Sequence, residues 1–142
     1  MHTENHIDIA GLAERVFALA ADTAAWPRWL PHYRFVRQHG RVAHMGALRN
    51  RFPVSWWAIQ ESYPDEGRIT FRHVGGITRG MEVEWRITPT PGGAHVVIAH
   101  DLAYPAPVLG WMFARYIVGG IFVTYIADRT LRRLKQKVES ER

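Results

Sequence analysis

The chain has no cysteine. That removes a disulfide framework, a thiolate metal site and a cysteine nucleophile together, and makes a reducing cytoplasm the simplest location. It opens on MHTENHIDIAG, with no basic stretch leading into an apolar run and no small-residue cleavage site, so nothing there directs secretion. Internal repeats, low-complexity tracts and long linkers are also missing. Eight histidines are present, but no HExxH sets two of them on one helix face. His95 and His100, five apart on a strand, face opposite ways, which argues against zinc. No Gly-x-Ser-x-Gly elbow activates a serine. Gly75-Gly76 with Gly80 belongs to a hairpin and not to a phosphate-binding strand-to-helix turn. Neither a metal nor a cofactor is expected.

What is present fits one compact domain over residues 1–142, with 47% hydrophobic residues available for a core. The formal charge of +5 permits an acidic partner. However, Asp128 to Arg142 holds six Lys or Arg against three Asp or Glu, and cations suit the C-terminus of a helix. No nucleic-acid-binding motif accompanies the basic residues, so nucleic acid is not an expected partner. Oligomeric state is not encoded in any pattern that we can read.

Turn signals divide the chain into short elements. A strand, about His2 to Ile9, leads through Gly11 into an amphipathic helix, Leu12 to Ala20, with Leu12, Val16, Phe17 and Ala20 on one face. Asp22 and Thr23 can cap a short second helical turn that Trp26, Pro27 and Trp29 end, and Pro31 stops any continuation. Six strands follow: His32 to His39, Val42 to Asn50, Val54 to Ser62, Arg68 to Val74, Gly80 to Thr88 and Ala94 to Leu102. Gly40, Phe52-Pro53, Pro64 to Gly67, Gly75-Gly76 and Pro89 to Gly93 are the breaks expected of consecutive hairpins.

Ala106 to Glu139 reads as one long helix, roughly 50 Å at about 1.5 Å per residue. Val108, Leu109, Met112, Phe113, Tyr116, Ile117, Phe122, Val123 and Ile126 fall largely at helical spacing. An antiparallel sheet buries one face unless something covers the other, and this helix is the only element large enough to cover it. The expected fold is therefore α+β: a seven-stranded curved antiparallel sheet wrapped around a long C-terminal helix, with two short helices between the first two strands. Met81, Val83, Trp85 and Ile87 alternate inward against Glu82, Glu84 and Arg86, and His100 shares the inward side of the last strand with Val96 and Ile98. Val108 to Ala127, with one charge, is also long enough to span a bilayer. Removing it to lipid would uncover the inward sheet face, so transient membrane contact by the apolar helix and cationic tail is the milder expectation.

The segments IDIAGLAERVFALAADTAAWPRWLP, PVSWWAIQESYPDEGRITFRHVGG, GMEVEWRITPTPGGAHVVIAHDL and IADRTLRRLKQKVE, in that order, resemble the START-like (SRPBCC) helix-grip superfamily. Within it the chain looks like the polyketide cyclase/dehydrase and coenzyme-Q-binding-protein-like group. The resemblance covers essentially the whole chain. It implies a hydrophobic small-molecule ligand, polyketide-like, aromatic or lipid, held between sheet and helix. It also implies either cyclisation and dehydration of a polyketide or non-catalytic carriage of a lipid or quinone.

Such a cyclase needs one group to stabilise an enolate oxygen and another to move protons. The candidates for that chemistry are His100, Arg115 and Tyr116. Arg115 is the sharper anomaly, since a charge in an apolar helical stretch must snorkel out, pair or face a ligand. Trp26, Trp29, Tyr33, Arg49, Trp85 and Met112 are the candidate ligand contacts. The chain has six tryptophans, which suit a flat-walled site. Trp56 and Trp57, adjacent on a strand, must point to opposite faces, so at least one lies off the cavity.

Overall fold

Alternating burial identifies the strands. Met81, Val83, Trp85 and Ile87 are buried, while Glu82, Arg86 and Thr88 are exposed. The computed structural model describes residues 2–49, 51–76, 78–102 and 123–141. Strand β1 (His2–Ile9) leads to helix α1 (Ala13–Ala21), a 3-10 turn (Thr23–Ala25) and the short helix α2 (Trp26–Trp29). Strands β2 (Tyr33–His39), β3 (Val42–Arg49), β4 (Phe52–Tyr63), β5 (Arg68–Gly76), β6 (Glu82–Thr90) and β7 (Gly93–Asp101) follow, and helix α3 (Thr124–Ser140) closes the described chain. The seven strands form one antiparallel sheet in the order β1-β7-β6-β5-β4-β3-β2. Consecutive strands from β2 onward are therefore neighbours, and β1 joins the far edge by pairing with β7.

The α+β helix-grip arrangement read from the sequence is the one observed. Of the expected long helix, the part before Val123 lies outside the described residues. The buried face of α3 carries Ile126, Ala127, Thr130, Leu131, Leu134 and Val138, spaced to lie on one side of a 3.6-residue repeat. It packs against β1 and α1, where Ile9 and Val16 are at most 2% exposed, and each such side chain contributes about 1.5–3 kcal/mol on burial. Among the described residues, no helix is long and apolar enough to cross a membrane.

Several boundaries differ from the sequence reading, each for a local reason. Trp26 to Trp29 forms a helix of its own instead of ending one, because Pro27 occupies a first-turn position where a missing N–H costs nothing. Neither Asp22 nor Thr23 makes a side-chain cap. Thr23 Oγ1 instead donates to Gln60 Oε1 at 3.0 Å, and Gln60 Nε2 donates to the Ala21 carbonyl at 2.8 Å, tying the end of α1 to β4. Phe52-Pro53 lies inside β4, with Pro53 opposite Leu48. The β5 pairing begins only at Trp56, so Pro53 has a strand on one side alone and interrupts no second ladder. Gly75 and Gly76 continue β5 past a bulge at Trp57/Ala58. A Cβ on Gly75 would lie 3.1 Å from Trp57 Cδ1, so any larger residue there requires the Trp57 side chain to shift by a few tenths of an ångström.

Candidate functional site

Between the N-terminal part of α3 and the inner face of the sheet lies an apolar cavity, open on one side. The same alternation that buries β5, β6 and β7 sends Phe71, Val83, Trp85 and Ile98 into it, and Val123, Ile126, Ala127 and Thr130 of α3 face them. Met45 and Trp56 extend the floor across β3 and β4. The walls are aromatic and mutually braced. Trp26, reaching in from α2, has its ring 5.1 Å from Tyr33, 5.7 Å from Trp85 and 5.9 Å from Phe71. Tyr33 meets Trp56 edge-on at 6.0 Å. Tilted and edge-to-face contacts of this kind stabilise ring pairs beyond simple burial.

Polar groups are few and lie in two clusters. In the first, His73 Nδ1 is 2.6 Å from Thr78 Oγ1, which leaves the other ring nitrogen free for a different partner. His100 lines the cavity directly opposite Val83, and its buried Nδ1 has no hydrogen-bond partner among the described residues. Burial lowers His73 to about 4. His100 is lowered to about 3, first by burial and then by the neighbouring His73. Both imidazoles are therefore neutral at pH 7, each with one N–H donor and one acceptor nitrogen.

The second cluster joins α3 to the start of β2. Thr130 Oγ1 donates to the Ile126 carbonyl at 2.7 Å, so toward His32 Nε2, 2.9 Å away, it can only accept. That assigns the Nε2–H tautomer to His32. Burial first, then the cations Arg129 and Arg133, lower His32 to about 4. Tyr33 lies beside the His32–Thr130 pair, its ring 4.9 Å from that of His32, and burial raises its pKa well above the ordinary phenol value.

Of the sequence candidates, Trp26, Tyr33, Trp85 and His100 are brought together on the cavity wall. Trp29 is half-buried against the core and is not among the described lining residues. Arg49 ends β3 with its guanidinium 5.4 Å from the centre of the Tyr125 ring, also outside that lining. Met112, Arg115 and Tyr116 lie outside the described residues. Trp56 and Trp57 do point to opposite faces: Trp57 sits on the outer face, stacked 4.1 Å from His44. Sequence reasoning missed His73, Thr78 and Thr130. The alternation Ile69, Phe71, His73 was there to find the first. The contacts of the other two depend on how the β5–β6 turn and α3 fold back.

A helix-grip α+β domain with an aromatic-walled cavity between sheet and helix is the class this geometry defines. The family described as polyketide cyclase/dehydrase and lipid transport matches residues 1–139, and the chain belongs to that family. None of the curated proteins compared with the chain matches it. Among solved structures it is similar to the Zhui aromatase/cyclase from Streptomyces sp. R1128, with TM-score 0.83 and 19% identity over 98% of this chain and 93% of that one. It is also similar to a START superfamily protein from Mycobacterium smegmatis, with TM-score 0.75 and 14% identity over 99% of each chain. A third similar structure is the di-domain ARO/CYC BexL from the BE-7585A biosynthetic pathway, with TM-score 0.73 and 27% identity over 98% of this chain and 46% of that one.

Proposed function

We propose that this protein binds a ring-containing, polyketide-like small molecule in the cavity, with His73 and His100 recognising its oxygen atoms. The observation that carries the reading is the combination of flat aromatic walls, formed by Trp26, Trp56 and Trp85, with two neutral imidazoles on an otherwise apolar surface. Aromatic walls favour conjugated ligands, and a few polar groups fix their orientation. A ligand carbonyl can accept from an imidazole N–H, and a ligand hydroxyl can donate to the unprotonated nitrogen. Family membership and the likeness to aromatase/cyclase structures support the same ligand class.

In a cyclisation, His100 takes a proton from a methylene flanked by two ketones, and the resulting enolate carbon attacks a further carbonyl. The imidazolium returns that proton to the new alkoxide, and removal of a proton from the adjacent carbon, with a proton delivered to the hydroxyl, then expels water and leaves the ring double bond. General acid–base catalysis works best with a pKa near the working pH, and burial takes His73 and His100 to about 4 and about 3. That specific observation favours the second reading, a carrier whose histidines hold the ligand without moving its protons.

The two readings separate at His100. Replacing it by Ala in an assay on a poly-β-ketone substrate lowers kcat far more than the accompanying loss of binding explains if His100 moves the proton. Unchanged turnover removes it from the mechanism. Replacing Trp85 or His100 should weaken ligand binding more than replacing Glu84, and equal effects at all three would count against the cavity face.

A further inference from the structure

From Thr23 to Gln60 the chain carries six arginines and no aspartate or glutamate. This stretch forms α2, β2, β3 and most of β4, the half of the sheet remote from β1. In the C-terminal helix, Arg132 and Lys135 are paired within the fold. Arg132 pairs with Asp128 at 2.9 Å and Lys135 with Glu139 at 2.8 Å, while Lys135 Nζ also donates to the Asp8 carbonyl.

At the β3–β4 tip, exposed Arg51 precedes Phe52, which is 66% exposed, while Arg49, paired across from Phe52, lays its guanidinium over the Tyr125 ring. The register that sets Trp56 opposite Gly76 brings the β5–β6 turn, with exposed Arg79, to the same end of the sheet. This is also the cavity's end: Val54 lies two residues beyond Phe52 and Thr78 just before Arg79, and both line the cavity. A large apolar ring held among cations is poorly matched to water. An anionic lipid surface matches it on both counts, with the ring entering the acyl boundary and the guanidinium groups resting on phosphates. An acidic protein face would pair the arginines but would need a separate apolar pocket for Phe52.

We propose that the β3–β4 tip, with the β5–β6 turn, docks this protein on an anionic bilayer and brings the cavity end of the sheet to the lipid. The surface differs from the sequence expectation, which placed membrane contact on the C-terminal helix and tail. It stands whether or not the ligand assignment above is correct.

The test is co-sedimentation of the full chain with vesicles of phosphatidylcholine alone and with vesicles in which about a third of the lipid is phosphatidylglycerol. Binding is expected to the anionic vesicles only and to weaken as salt is raised. Phe52→Ser, and separately Arg51→Glu with Arg79→Glu, should each weaken it about tenfold or more. Lys137→Glu, at the opposite end of the molecule, should change it less than about twofold. Circular dichroism confirms folding of each variant, and the charge-reversal pair provides the readout if the Phe52 variant fails to fold. Ligand affinity in lipid-free solution should be unaltered in all of them, which separates this surface from the cavity. The proposal is overturned by equal binding to both vesicle types, by no binding to either, or by equal losses in Lys137→Glu. Retention on an acidic peptide without vesicle binding would overturn it in favour of a protein partner.

Discussion

The ring of His73 lies flat against that of Trp56, with centroids 5.7 Å apart and planes 3° from parallel. The stack joins the cavity's aromatic floor to its polar cluster, because the same imidazole meets Thr78 at its other edge. Stacking and the Thr78 contact together fix the ring's plane, so its second nitrogen has a defined direction for a ligand oxygen.

His73→Phe keeps the stack and removes the hydrogen bonds. It should retain the fold while weakening an oxygen-bearing aromatic ligand about tenfold, the loss of a typical hydrogen bond in a buried site. Isothermal titration of both proteins with one ligand measures it. Equal affinities would show that His73 is only a wall.

Acid should destabilise the protein in a definite window. His32, His73 and His100 have folded-state values lowered to about 4, about 4 and about 3, against about 6.5 in an unfolded chain. Below pH 6.5 the unfolded chain binds protons that the folded one refuses, so unfolding becomes easier as pH falls. Their stabilising contribution is therefore complete above about pH 6.5 and is lost progressively on acidification toward pH 3 to 4, at up to about 1.4 kcal/mol per pH unit for each histidine. Urea unfolding from pH 7 to pH 4 measures the slope. Triple replacement of these histidines by Phe, Gln or Asn, where folding permits, should flatten it.

Thr130→Val preserves shape at a position 2% exposed and removes the hydroxyl that accepts from His32 Nε2. The buried His32 Nε2–H then loses its acceptor, at a cost of about 1–3 kcal/mol. Thermal unfolding should show the loss, and Thr130→Ser, which keeps the hydroxyl, should recover most of it.

Gly67 sits at φ 63° in the turn before β5, and a Cβ there would lie 2.3 Å from the Ile87 carbonyl oxygen. Gly67→Ala should destabilise by at least about 1 kcal/mol, from left-handed backbone strain plus the clash. Gly40→Ala tests the separation of the two causes. Its φ is the same 63°, but nothing lies within 4 Å of its added Cβ, so it should cost less.

How much of this was legible in the sequence follows from the range of the interactions involved. Alternation such as Met81-Val83-Trp85-Ile87 is a local signal, and it located the inward face and with it Trp85 and His100. Pro53 misled because a proline can end a strand or lie in one. Only the pairing partners, β3 on one side and β5 starting later, decide between the two. His73 shared the readable period of Ile69 and Phe71, yet its contact with Thr78 requires the β5–β6 turn to close. Thr130 reads as an ordinary helical threonine until α3 is set beside His32, 98 residues away in the chain. Arg49 was legible as a cation on a strand, but the ring of Tyr125 that it covers belongs to a helix far along the sequence.

The central claim is that aromatic ligands occupy the space walled by Trp26, Trp56 and Trp85. The most direct measurement is a fluorescence titration with a polycyclic quinone, followed through tryptophan quenching, in the native protein and in two variants. Ala127→Phe places a ring in the cavity from α3, and Trp57→Phe alters the outer face alone. Saturable quenching in the native protein is expected, weakened about tenfold or more in a folded Ala127→Phe protein and left intact in Trp57→Phe. Equal affinity in all three would place the ligand outside the cavity and contradict the account.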